Sequence, residues 1–100
     1  SKANASTSAL DANAPRPAAF SGQALETAKA QPDDLKKIKG VGPVMEGVLN
    51  GHGCYTFAQV AGLSDQDIEW LAANINTFPD RIVRDDWVGQ AKALVAEKAA

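Results

Sequence analysis

A short glycine-rich string, Gly40-Val41-Gly42-Pro43, limits what this chain can fold into more than any other feature of its sequence. The glycines permit backbone conformations that other residues avoid, and Pro43 suits the first position of a helix. Leu35 and Ile38 precede the string at helical spacing, and Leu49 follows it. The pattern predicts two short helices joined by a tight hairpin.

Apolar residues recur at helical spacing throughout residues 33–100, and no stretch alternates as a strand would. Helix starts are expected at Asp33 or Asp34, Pro43, Thr56, Ser64, and Asp85 or Asp86. Ser64 and Asp67 form a pair like a capping box, and Phe78-Pro79 is expected to break the helix that they begin. Trp87 lies on the apolar stripe of the last helix. The fold class is therefore all-α, a compact bundle of about five short helices.

Residues 1–32 have a different composition, mainly Ala, Ser, Asn, Thr and Pro, with few large apolar side chains. Such a stretch buries too little apolar area to offset the entropy lost on ordering. We expect a flexible N-terminal arm, disordered or weakly helical, before a folded domain at residues 33–100. For residues 18–30, a transient helix and an Ala-rich linker both fit, and the weak apolar face favours the linker.

Composition excludes several classes of protein. One hundred residues make one small domain at most. A single cysteine, Cys54, and a single histidine, His52, cannot form an internal disulfide or a Cys/His zinc site. No run approaches the roughly 18 apolar residues of a transmembrane helix, and a signal-peptide pattern is missing. We therefore expect a cytoplasmic protein with no transmembrane segment.

Charge is distributed unevenly along the chain. Residues 33–100 contain seven Lys and Arg against ten Asp and Glu, a net charge of −3, so most of this surface repels a nucleic-acid duplex. The positive charges are concentrated in the hairpin and before the last helix, at Lys36, Lys37, Lys39, Arg81 and Arg84. These two groups make one patch only if the fold brings them together.

The hairpin string resembles the helix-hairpin-helix motif. Together with residues 55–61 and 81–94, the hairpin resembles a small bacterial domain. That domain is a C-terminal extension of the respiratory complex I 24-kDa-type subunit and of a large-subunit ribosomal protein. The domain is also similar to the helix-three-turn-helix segment of flap endonucleases. The resemblance implies that turn amides at a helix N-terminus bind a backbone phosphate independently of base sequence.

Carried onto this sequence, the resemblance makes Gly40, Val41 and Gly42 the amide donors, with Val41 also filling the hairpin core. The nearby Lys36, Lys37 and Lys39 add positive charge. The sequence departs from the pattern directly after Gly-Pro, where many nucleic-acid binders have a basic or hydroxyl residue and this chain has Val44. Glu46 adds negative charge to the same helix.

Enzymatic functions are not favoured. A flap-endonuclease site needs carboxylates around two metal ions, but the acidic groups at residues 33–34, 65–69 and 85–86 all lie at helix starts, where they cap free amides. Cys54 and His52 have no third residue to orient them as a nucleophile and base. One cysteine cannot hold a two-iron cluster, which needs about four ligands. We expect no catalytic residue, metal or cofactor.

Two functions stay open. The acidic charge favours protein binding, and the resemblance implies an accessory or assembly module of bacterial respiratory complex I, peripheral to the inner membrane through that complex. It would use the hairpin face and Trp70, which lies one residue off the apolar face of its helix and is expected to be partly exposed. Arg81 and Arg84 would make a secondary contact. The alternative is a DNA or RNA backbone-binding protein that uses the hairpin turn.

Overall fold

The computed structural model describes residues 15–99. These residues contain six α-helices and two 3₁₀ turns, joined by short loops. The helices are α1 (Gly22–Ala30), α2 (Pro43–Gly51), α3 (Phe57–Ala61), α4 (Asp65–Asn74), α5 (Pro79–Arg84) and α6 (Trp87–Ala99), and the turns are Ala18–Phe20 and Leu35–Lys37. No strand occurs in this range, and the predicted all-α class is confirmed. None of its helices is long and apolar enough to cross a membrane.

Local capping fixes most helix starts where the sequence predicts them. Thr56 accepts from the Gln59 amide and Ser64 from the Asp67 amide, and both pairs are complete capping boxes. Pro43 occupies the first turn of α2. Asp86 accepts from the Gly89 amide at 3.1 Å and so caps α6. Each cap satisfies an amide that has no partner within its helix.

Two elements differ from the prediction. The first half of the hairpin is a 3₁₀ turn rather than a helix, and α5 forms in a segment where the sequence pattern indicates only a break before the last helix. The expected break at Phe78-Pro79 is wrong, because α4 already ends at Asn74 and Pro79 starts α5. This helix is too short for its apolar periodicity to be recognisable, and Ile82, which is fully buried, anchors it to the core.

The core joins the hairpin to the last helix. α3 packs against α6, and α5 contacts both α4 and α6. Trp87, expected to face inward, is fully buried. The largest fully buried side chains are Trp87, Phe20, Leu35, Ile38, Leu49, Leu71, Ile82, Val60 and Cys54. These residues come from both 3₁₀ turns, from the five helices α2 to α6 and from two connecting segments, so the hairpin is part of the core.

The described part of the N-terminal arm packs on the domain. Phe20 is fully buried, and the buried side chain of Gln59 donates to Ala19 O and to Gly53 O, each at 2.8 Å. Arg16 donates to Phe20 O at 2.9 Å and to His52 O at 3.0 Å. A free linker is therefore wrong for residues 18–30, which form the first 3₁₀ turn and α1. The expected flexibility of residues 1–14 lies outside the described residues, and the boundary at residue 32 stays a prediction.

Trp70 does not have the partial exposure expected of it, since only 6% of it is accessible. The ring of Phe20 meets its ring edge-on at 5.7 Å, and the Arg16 guanidinium lies 5.3 Å from its ring centre. Both covering residues come from the arm, so the periodicity of α4 alone could not indicate this burial. Trp70 stabilises the packing of the arm and is not an exposed anchor.

Replacing Phe20 by Ala is expected to reduce the free energy of unfolding by about 3–5 kcal/mol, because it removes a fully buried ring from the core. The matched control is Phe78→Ala, which truncates a ring that is 66% exposed and should change stability by no more than about 0.5 kcal/mol. Urea unfolding of both variants checks this. Equal stability of the two would show that the arm does not contribute to the fold.

Candidate functional site

The hairpin turn is built on three buried apolar side chains. Leu35 and Ile38 are fully buried and Val41 is 5% exposed, so the turn stands on the core. The Val41 amide donates to Ile38 O at 3.0 Å and closes the turn. Gly40 has a φ of +104°, whereas Gly42 has a φ of −97°, so only the first glycine needs the conformational freedom expected of both.

Gly40 also lies too close to the α5–α6 corner to carry a side chain. A Cβ atom there would lie 2.6 Å from Asp85 Oδ2 and 2.8 Å from Trp87 Nε1. The Trp87 indole nitrogen is buried and has no hydrogen-bond partner among residues 15–99. The backbone of the turn therefore rests directly on the last helix.

Gln90 fastens the turn to α6. Its Oε1 accepts from the Lys39 amide at 2.8 Å, and its Nε2 donates to Lys39 O at 3.1 Å and to Asp85 O at 2.7 Å. One side chain thus binds both backbone polar groups of the residue that enters the turn. This attachment fixes which way the next amides point.

Four amides of the turn and of the first turn of α2 have no acceptor within residues 15–99. They belong to Gly40, Gly42, Val44 and Met45. Val41 is not among them, because its amide is bonded inside the turn, and its expected role as an amide donor is wrong. Open amides at a helix N-terminus, where the helix dipole is positive, are suited to an anionic oxygen.

The first lysine of the group is occupied within the protein. Lys36 Nζ lies 2.8 Å from Asp34 and 3.3 Å from Glu46, and these hydrogen bonds raise the pKa of Lys36. The bond from Lys36 lowers the pKa of Asp34. Glu46 also accepts from the Leu35 amide at 3.0 Å. The negative charge on α2 is thus used to hold the 3₁₀ turn.

The structure brings part of the second basic group to the hairpin. Arg81 donates to Gly40 O at 3.3 Å, whereas Arg84 pairs with Asp80 at 3.3 Å and has no contact with the turn in the described range. Lys37 and Lys39 are exposed, and neither forms an ion pair with a residue of this range. The unpaired positive groups of this segment are therefore Lys37 and Lys39, whereas Arg81 lies against the turn but also 3.8 Å from the Asp85 carboxylate.

The remaining candidate residues have structural roles or are inaccessible. Within residues 15–99, no group of His, Cys, Asp and Glu is arranged to hold a metal ion. Cys54 is fully buried, and burial raises the pKa of its thiol to about 12, so the thiol is protonated at neutral pH. Asp34, Asp67 and Asp86 cap helices or turns.

Sequence reasoning missed Gln90 and Asp85 as residues that position the turn. Gln90 directly precedes the fully buried Ala91 on α6. A polar side chain next to the apolar stripe is the one sequence feature that could have indicated a positioning role for Gln90. Its partner in the turn, Lys39, lies 51 residues away in the sequence, a separation that no local pattern spans.

Comparison with known proteins gives consistent results. Residues 35–95 match the family model described as the RS2/RL21/YNQ2 HHH domain. "Large ribosomal subunit protein bL21" of Jannaschia sp. is 46% identical over 66% of this chain and 25% of its own length. "Small ribosomal subunit protein uS2" of Methylobacterium sp. is 38% identical over 76% of this chain and 22% of its own.

A third relative, "Uncharacterized 22.9 kDa protein in nqo2 3'region" of Paracoccus denitrificans, is 40% identical over 82% of this chain and 36% of its own length. The chain therefore spans between 22% and 36% of the length of these curated relatives. No solved structure matches it significantly.

Alanine substitutions at the two glycines should differ in effect. Gly40→Ala is expected to reduce the free energy of unfolding by about 2 kcal/mol or more, because of its positive φ and the contacts with Asp85 and Trp87. Gly42→Ala is expected to change it by no more than about 0.5 kcal/mol, since a Cβ there meets nothing within 4 Å. Chemical denaturation measures both, and equal losses would contradict this description of the turn.

Proposed function

Because the chain belongs to the RS2/RL21/YNQ2 HHH domain family, we propose that it is a non-catalytic binding module whose hairpin turn binds a backbone phosphate of RNA. The observation that carries the proposal is the set of open amides at Gly40, Gly42, Val44 and Met45. Relatives named as proteins of both ribosomal subunits support RNA as the nucleic acid.

The electrostatics support a small, local contact. Lys37 and Lys39 are exposed just before the turn in the sequence, and Arg81 donates to Gly40 O. The Asp85 carboxylate lies beside Gly40, and residues 33–100 have a net charge of −3. Such a surface admits a few phosphates at the turn and repels a long duplex laid across it. With about three phosphates neutralised, the logarithm of affinity for a single strand should fall with the logarithm of salt concentration with a slope of about −2.

The contact would not select a base sequence. Backbone amides and lysines recognise phosphate oxygens, which every nucleotide shares, and Val44 at the position after Gly-Pro offers no hydrogen bond to a base. The module would then position RNA, or dock its protein on RNA, without reading the bases.

A second candidate is a protein-binding accessory module of respiratory complex I. The similarity to the protein named for the nqo2 3' region supports this candidate, and so does the side chain of Val44, which is 82% exposed beside the turn. An exposed apolar residue next to open amides suits a protein partner as well as RNA. This partner would place the chain at the periphery of the inner membrane.

Titrating the ¹⁵N-labelled full chain with short single-stranded and duplex RNA, at low and moderate salt, should shift the amide signals of Gly40 and Gly42 most. Lys39→Gln is expected to weaken binding several-fold and to reduce the salt slope by about 1. The matched control is Lys29→Gln on α1, a helix that packs against the first 3₁₀ turn, Ala18–Phe20. Unperturbed Gly40 and Gly42 amides at low salt would eliminate phosphate binding at this site.

Affinity capture from solubilised native membranes tests the second candidate. The full chain is expected to recover complex I subunits, and Val44→Glu to recover fewer, because a charge would then lie in the apolar contact. Lys29→Gln is again the control. Recovery of no complex I subunit by the unsubstituted chain would count against this partner.

A further inference from the structure

A cleft of about 710 Å³ lies where the end of α4 meets α5, and an exposed aromatic ring forms part of it. The ring is that of Phe78, which precedes α5 and is 66% exposed. Arg81 and Arg84 line the same cleft. Phe78 contributes little to the core, and its exposed ring lines a cleft that both arginines also line.

Arg81 connects the cleft to the hairpin turn. This residue lines the cleft, and its Nη2 donates to Gly40 O at 3.3 Å. The cleft and the turn are therefore two contacts of one side chain, and a strand of nucleic acid that binds both would pass along Arg81.

We propose that Phe78 is a stacking platform for one unpaired RNA base, next to the phosphate bound at the hairpin turn. The ligand class is then single-stranded RNA rather than duplex. This inference rests on the proposed phosphate binding. Bases inside a duplex are covered by their neighbours, whereas an unpaired base presents its face to an aromatic ring or a guanidinium plane.

The charges of the cleft favour a base over a second phosphate strand. Glu69 and Asp80 line it together with the two arginines, so the four charges cancel. Arg84 lies 3.3 Å from Asp80, and Arg81 lies 3.8 Å from Asp85. Exposed pairs of this kind add little to stability, so Arg84 can leave Asp80 and stack on a base, while Arg81 stays at Gly40 O. A neutral aromatic base fits these surroundings better than the phosphates of a duplex.

The test compares Phe78→Ala with the matched control Val83→Ala, which truncates an exposed side chain of α5 that lies outside the cleft. The probes are a fluorescently labelled oligouridylate of about eight nucleotides, within the range of small single-strand sites, and a blunt RNA duplex of similar length. Fluorescence anisotropy measures binding, and the amide spectrum of each variant checks that it is folded.

Phe78→Ala is expected to weaken oligouridylate binding by about five- to tenfold, with Val83→Ala within twofold of the unsubstituted chain. Phe78→Trp is expected to restore binding and to lose indole fluorescence as the base stacks on it. Unchanged oligouridylate binding by Phe78→Ala, with Gly40 and Gly42 amides still shifting, would overturn the stacking site and leave phosphate binding intact. Amides that respond to neither RNA would overturn both.

Discussion

One side chain, that of Gln90, holds the hairpin turn in place, and the arrangement of the site depends on it. Its amide group pairs with the backbone N–H and C=O of Lys39 and also with the carbonyl of Asp85. Gly40 can then rest against Trp87 and Asp85 only because it lacks a side chain. The result is a rigid turn, so binding an anion there costs little ordering of the protein.

The same arrangement explains how a protein with an acidic domain presents a site for an anion. Glu46, the acidic residue nearest the turn in α2, is directed at the Leu35 amide and at Lys36. Its charge is compensated by Lys36 and is used to close the 3₁₀ turn. The open amides lie at the start of α2, where the helix dipole is positive, and Arg81 donates to Gly40 O while pairing with the Asp85 carboxylate beside it. The local arrangement of amides and charged side chains, more than the net charge of the domain, determines whether this surface attracts an anion.

Local patterns predicted what depends on neighbours in the sequence. The helix start at Thr56, the capping box at Ser64, Pro43 at the start of α2 and the buried Trp87 all follow from spacing and residue type. What was missed depends on contacts distant in sequence. The covering of Trp70 comes from Arg16 and Phe20, and the fixing of the turn comes from Gln90, 51 residues beyond Lys39. At the site, the Gly40-Val41-Gly42-Pro43 string could be recognised from the sequence. Which of its amides lack an acceptor could not, because the Val41 amide bonds within the turn.

Scalar coupling across hydrogen bonds tests most directly whether the hairpin amides bind phosphate. In a complex of the ¹⁵N-labelled chain with short single-stranded RNA, we expect ³¹P coupling to the amide of Gly40 or Gly42. The amides of Lys39 and Val41 serve as internal controls, because Gln90 and Ile38 O already occupy them. RNA that binds the chain without ³¹P coupling at either glycine, and with its largest shifts away from the turn, would contradict the proposed site.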